Sequence, residues 1–314
     1  MSGEGPLLVA LGGNALILPG EKGYIQEQFS HAASCMRPIA ALISRGEGVV
    51  LTHGNGPIVG NILLRNECAK DYIPPMPLSI CVADSQGGIG AMMAQSLRNE
   101  LKKNGMERSV LAVVTHVVVD GKDPAFGDPT KPIGPYYAED AAREHQERDG
   151  WVMRDIPGRG WRRLVPSPRP ERIIELESVR GLLTKGAIPI AAGGGGIPVI
   201  EEEGELRGVD AVIDKDLCAS LLCRKLGLKR FVILTDVDGV YLDWQGEKKR
   251  KLEHLSLREA RTYLDEGQFP RGDMGPKIEA AIECIESDVE RVIIARPEDL
   301  AEALEGRAGT TITA

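Results

Sequence analysis

The chain has 314 residues, enough to bury a substantial core in one large domain or two ordinary ones. Charged residues at 27% and hydrophobic ones at 42% are an ordinary globular balance. The formal charge of -8 argues against a nucleic-acid binder but not against a phosphate site served by a few local lysines, and no apolar run reaches membrane-spanning length.

Met1–Pro6 lacks a basic segment followed by an apolar one, so no secretory signal is expected. The six cysteines (Cys35, Cys68, Cys81, Cys218, Cys223 and Cys284) show no C-x-x-C spacing. They read as reduced thiols of a cytosolic protein rather than zinc ligands.

In chain order, Leu7–Leu11 is a short apolar run stopped by Gly12-Gly13, the pattern of a buried strand meeting a tight turn. Helical spacing over Gln26–Arg45 ends at Gly46. Val49–Thr52 predicts a second buried strand, closed by His53-Gly54-Asn55-Gly56. Helices are expected over Ile58–Ala69 and Ile89–Asn104, and a strand over Val110–Val119. Asp120–Pro170 is rich in proline and has little periodicity. It is too long for an ordinary connection, so it reads as a small lid subdomain inserted in the main fold.

The core pattern resumes with a helix near Glu171–Lys185, a strand at Ala187–Ala191 and the turn Gly193-Gly194-Gly195-Gly196. Glu201–Glu205 reads as a hairpin tip, and the run Leu217–Leu228 as a helix. A strand at Arg230–Leu234 ends in Thr235-Asp236-Val237-Asp238-Gly239. Helices at Ser256–Glu266 and Lys277–Ser287, a strand at Arg291–Ala295 and a helix from Glu298 complete the chain. Short buried strands alternating with helices predict an α/β fold with a mostly parallel sheet, whose ligands bind beyond the carboxyl ends of the strands.

Those ends carry the candidate chemistry. Gly12-Gly13-Asn14 and Gly54-Asn55-Gly56 each follow a strand, and glycine lets backbone N–H groups approach an anion closely. A single such turn serves equally well to reverse the chain; two in one sheet favour binding. Neither is a standard nucleotide fingerprint: Gly54-x-Gly56-x-x-x-Gly60 misses the dinucleotide spacing by one residue, and no G-x-x-x-x-G-K-[ST] occurs. Lys215 stands between Asp214 and Asp216, either as a solvated cluster or as a cation held for an anion. Lys277 also opens a helix, behind Pro276, at the end whose dipole favours acids. The same oddity twice points to a phosphate between the lysines.

Other chemistry has less support. The five histidines show no metal-binding spacing, and His53 reads as a strand-end residue supporting its glycine loop. There is no G-x-S-x-G elbow, and no cysteine has an activating partner. Arg159, Arg162 and Arg163 around Trp161 are an anion patch or a charged lid surface.

LGGNAL (11–16), AVIDKDLCASLL (211–222), LTDVDGVY (234–241) and MGPKIEAA (274–281) resemble patterns broadly shared in the amino acid kinase family, and THGNGP (52–57) and SQGGIG (85–90) resemble its carbamate kinase branch. The inserted PTKPIGPYY (129–137) and GRGWRRLVPSP (158–168) resemble its carbamate kinase branch more specifically. The resemblance covers nearly the whole chain. It implies a three-layer αβα sandwich with a mainly parallel eight-stranded central sheet, plus the inserted lid at about 120–170. Residues 1–205 would form the acceptor lobe and 206–314 the nucleotide lobe.

The implied reaction is reversible transfer between ATP and carbamate, giving ADP and carbamoyl phosphate, with Mg2+ carried by the nucleotide. A cytosolic homodimer serving ATP synthesis in arginine catabolism is also implied. Lys215 and Lys277 would neutralise the transferring phosphoryl group, with Asp216 aligning them. Gly12, Gly13 and Asn14 would face that group, Gly54, Asn55 and Gly56 would hold the acceptor, and Lys131 would reach it from the lid. Asp214, Asp236, Tyr241 and Met274 fall in nucleotide-binding segments.

Two departures stand out. Ile58 replaces a usual glutamine, with loss of a polar contact near the acceptor expected. Asp84 replaces a usual methionine, in the role of a helix cap. Too few residues follow Lys277 for an aspartate kinase regulatory domain, and the insert disfavours N-acetylglutamate and uridylate kinases. A non-catalytic nucleotide or metabolite sensor with the same fold and a dinucleotide dehydrogenase are the alternatives from other classes. The lysines count against the first and the missing fingerprint against the second.

Overall fold

The computed structural model describes residues 5–13, 16–18, 20–244, 246–270 and 272–314. The chain opens with β1 (Leu7–Leu11), α1 (Ile25–Ser44), β2 (Val49–His53), α2 (Gly56–Ala69), α3 (Leu78–Lys103) and β3 (Val110–Ala112). A middle segment holds β4 (His116–Val118), β5 (Lys131–Tyr137), α4 (Glu139–Asp149), β6 (Val152–Ile156), β7 (Gly160–Val165) and β8 (Arg172–Ile173). Next come α5 (Leu176–Thr184), β9 (Ile188–Ile190), β10 (Ile197–Glu202), β11 (Glu205–Gly208), α6 (Lys215–Leu226) and β12 (Arg230–Leu234). The last part adds β13 (Val240–Leu242), β14 (Arg250–Leu252), β15 (His254–Ser256), α7 (Leu257–Asp265), α8 (Met274–Ile285), β16 (Arg291–Ala295), α9 (Leu300–Leu304) and β17 (Thr310–Thr313).

The central sheet has eight strands in the order β15-β17-β16-β12-β1-β2-β9-β3. Every pair in it is parallel except β16 with β17. Parallel strands are covered on both faces, so their residues alternate between two apolar layers. Leu7, Val9 and Leu11 of β1 pack with α1, α3 and α9, whereas Leu8 and Ala10 pack with α6 and α8. This is the expected three-layer amino acid kinase fold. The inserted segment forms a separate antiparallel sheet, β5-β7-β6, backed by α4.

The expected strand over Val110–Val119 is two strands in different sheets: β3 joins the central one, and β4 joins a second sheet with β8, β10 and β11. The break is held by Gln86 of α3, whose Oε1 accepts from Thr115 N at 2.7 Å and whose Nε2 donates to Thr115 O at 3.1 Å. Those bonds satisfy the backbone where it leaves the ladder. The helix expected from Ile89 begins at Leu78, because Gly87 and Gly88 lie exposed within α3 rather than in a loop. Asp84 is therefore an exposed residue inside α3, and Pro77 occupies the N-cap, so the cap role falls. Ile58 is half-buried against the α1/α3 core layer. The helix expected near Glu171 starts later, as α5, after the short β8.

Candidate active site

Two glycine turns meet at the carboxyl edge of the sheet. Gly12 N donates to Leu234 O on β12, and Gly54 N donates to Leu11 O on β1, both at 2.9 Å. Gly12 thus shapes the turn rather than offering its own N–H to a ligand. A Cβ on Gly54 would stand 2.6 Å from both Cα and N of Gly13 and 3.1 Å from Lys215 Cδ. No side chain fits there. Gly193 and Gly194 pack equally closely on His53 and Asn55 from the far side. His53 is 3% exposed, with Nδ1 at 3.0 Å from Gly54 O, and burial pushes its pKa down to about 4. It supports the loop as a neutral ring. Asn55 donates its side-chain amide to Ser85 Oγ on α3 at 2.9 Å, leaving its backbone to the cleft.

Above these turns α6 and α8 present their N-termini. Asp214 caps α6, its Oδ1 accepting from Asp216 N at 2.9 Å, and its Oδ2 accepts from Lys131 Nζ of the lid at 2.8 Å. Lys215 Nζ lies 2.6 Å from Asp216 Oδ1. Lys277 Nζ lies 3.4 Å from Asp216 Oδ2 and 2.9 Å from Asp273 Oδ1. Asp216, its side chain 3% exposed, therefore stands between both lysines. Burial works against charge on Lys277, but Asp216, Asp273 and Asp214 outweigh it and hold its pKa above the usual lysine value. Burial likewise opposes ionisation of Asp214, yet Lys131, Lys215 and the Asp216 amide keep its pKa below the usual carboxylate value. At neutral pH both stay charged.

These elements bound a cleft of about 900 Å3. Gly12, Gly13, Gly54, Asn55, Gly56, Lys131, Asp214, Lys215, Asp216, Asp236 and Lys277 all line it. Asn14 lies outside the described residues. Tyr241 and Met274 stand away from the lining. Tyr241 donates to Asp238 Oδ1 at 2.9 Å beneath Lys249, and Met274 packs into the core at the start of α8.

Asp273 is a site residue that sequence reasoning passed over, although its spacing of four before Lys277 was a usable signal. Gly194 and Arg296 also line the cleft without having been assigned. The three lid arginines do not converge. Arg163 stacks 4.2 Å over Trp151 and pairs with Asp210, while Arg159 and Arg162 lean on Tyr136. Asp210 also accepts from Leu78 N, beside a separate cavity of about 430 Å3 under the lid, so it stands apart from the clamp.

The whole chain has close relatives. A carbamate kinase from Pyrococcus furiosus is 47% identical over 308 residues, covering 98% of each chain, and one from Trichomonas vaginalis is 40% identical over 309 residues. The solved structure of Giardia lamblia carbamate kinase bound to AMP-PNP superposes with a TM-score of 0.95 at 40% identity, covering 100% of this chain and 99% of that one. Residues 6–296 match the model of the amino acid kinase family, and this chain belongs to that family.

Proposed function

We propose that the protein catalyses reversible phosphoryl transfer between ATP and carbamate, yielding ADP and carbamoyl phosphate, the activity for which its full-length relatives are named. The observation that carries the chemistry is one buried carboxylate, Asp216, aiming Lys215 and Lys277 at a cleft floored by two interlocked glycine turns. Phosphoryl transfer needs positioning and charge stabilisation rather than covalent help. Carbamate is already an anion, so no general base is required. In this reading Lys215 and Lys277 neutralise the transferring group in line over Gly13. The first turn of α2, where Gly56 and Pro57 line the cleft, favours the anionic acceptor.

Residues 1–205 are assigned to the acceptor and 206–314 to the nucleotide, with the 120–170 segment closing over carbamate to exclude water. Among the described residues no group of three or more His, Cys, Asp or Glu could hold a metal. Mg2+ fits as an ion arriving on the phosphates, with Asp236, exposed in the cleft, available to it. It would screen phosphate charge there. No helix among the described residues is long and apolar enough to cross a membrane. A cytosolic enzyme making ATP during arginine catabolism is the proposed setting.

A homodimer accords with exposed apolar side chains on α2, α3 and their connection: Leu64, Tyr72 at 89% exposure, Ile73 and Ile80. Sedimentation at a single-chain mass would remove it. The decisive experiment is ATP formation from ADP, carbamoyl phosphate and Mg2+. Absence of product with folded protein would overturn the proposed activity.

A further inference from the structure

Among the described residues, one cation lining the cleft has no hydrogen-bond or ion-pair partner. Strand β16 is buried along Val292–Ala295, and Arg296 is the first exposed residue beyond its carboxyl end. Its backbone is fixed on both sides: Ala295 O accepts from Thr235 N at 2.9 Å, and Arg296 O accepts from Asp299 N at 3.2 Å. Arg296 lines the cleft and has no hydrogen-bond or ion-pair partner among the described residues; the one group whose titration its charge influences is Tyr241.

Every other cation lining that cleft among the described residues is engaged. Lys131 is on Asp214, Lys215 on Asp216, and Lys277 on Asp216 and Asp273. Arg162 donates to Gly134 O, His31 faces Glu21, and Arg37 lies near Glu100. Asp236 and Glu298 share the wall with Arg296, yet neither is within ion-pair distance of it. A plain surface arginine is commonly unpaired; one held at the rim of a phosphate clamp is placed for an anion.

Sheet order fixes which anion. Along the carboxyl edge the sequence of turns is β16, β12, β1, β2. Arg296 is two strands from Gly12-Gly13, on the order of 10 Å at the usual strand spacing, on the side opposite the acceptor turn Gly54-Asn55-Gly56. In the proposed transfer the acceptor occupies the β2 side of Gly13, which leaves this side to the nucleotide's remaining phosphates. We infer that Arg296 binds the non-bridging oxygens of the nucleotide's inner phosphates. Guanidinium suits that task because its planar fork meets phosphate with two parallel hydrogen bonds. The inference rests on the proposed phosphoryl transfer and names a residue that positions the leaving nucleotide.

The test compares Arg296→Gln and Arg296→Lys with the wild-type chain in ATP formation, and in calorimetric binding of ADP and of adenosine. Losing a charge-assisted bond at a solvent-open site corresponds to about a tenfold rise in the KM for ADP, with the KM for carbamoyl phosphate held within about twofold. Adenosine binding is expected to be unchanged, and Arg296→Lys to recover part of the ADP affinity. An unaltered KM for ADP in folded Arg296→Gln, or equal weakening of adenosine or carbamoyl phosphate, would overturn the assignment. If the wild-type chain forms no ATP, the proposed activity fails, while the ADP and adenosine titrations still decide the role of Arg296.

Discussion

Asp216 lies 2.6 Å from Lys215 and 3.4 Å from Lys277, so one carboxylate sets the aim of two ammonium groups. Lys215→Ala removes a preorganised donor, and turnover is expected to fall about 100–1000-fold with the fold intact. Steady-state kinetics on a folded variant that keeps near-normal turnover would take Lys215 out of the transition state. Asp216→Asn acts differently, because it leaves the lysines buried without their shared counter-charge. Breaking one side of a buried ion pair costs about 3–5 kcal/mol, so this variant should lose thermal stability as well as turnover. A variant losing turnover alone would show that Asp216 matters for aim but not for charge balance. Both lysines were legible in the sequence because a lysine at a helix N-terminus opposes the dipole. Asp273 and Arg296 were not assigned. Asp273 carried a usable signal in its spacing of four before Lys277, whereas the role of Arg296 depends on the order of strands in the sheet, which local spacing does not encode.

Elements with long apolar periods were equally legible: α1, β1, β2, α6, β12 and β16 run within a residue or two of their expected limits. Where expectation departed, a tertiary contact decided. Gln86 splits the Val110–Val119 run, and the exposed Gly87-Gly88 pair is carried inside α3 by the packing of its buried face. Strands β13, β14, β15 and β17 have three or four residues each, too few to show a period. The turn after β2 is the element where sequence and structure agree most closely. Gly54→Ala would drive a methyl group against the Gly13 backbone, not against a yielding side chain. Near-complete loss of activity is expected, and a crystal structure showing undisplaced Gly12-Gly13 would contradict that account.

The lid is the other testable element, because Lys131 reaches Asp214 across the cleft. Lys131→Ala should raise the apparent KM for the carbamoyl substrate more than that for the nucleotide. Equal shifts in both would detach the lid from the acceptor.

At the scale of the whole molecule, one sheet runs unbroken through both proposed lobes: β1 pairs with β2 on one side and β12 on the other. The site therefore depends on the integrity of the sheet's carboxyl edge, and His53 is buried there. Its pKa is about 4 in the folded protein against an ordinary 6.5, because burial disfavours the charged ring. Between those values the unfolded chain binds a proton that the folded chain does not. Stability is thus fully present above the ordinary value and is lost as the pH falls toward the folded one. The slope from this group approaches about 1.4 kcal/mol per pH unit, on the order of 3 kcal/mol across the window. Asp214 has the opposite kind of charge and a lower range: its depressed pKa contributes stability above the ordinary carboxylate value of 3.8, which is lost only below it. Urea midpoints measured from pH 7 to about 4.5 separate the two, since of this pair only His53 titrates in that interval in the unfolded chain, and the His53→Gln comparison removes the part due to the other four histidines. His53→Gln should be less stable at pH 7 yet lose less on acidification than the wild type. Parallel curves for the two proteins would mean that His53 takes up its proton without opening the glycine edge.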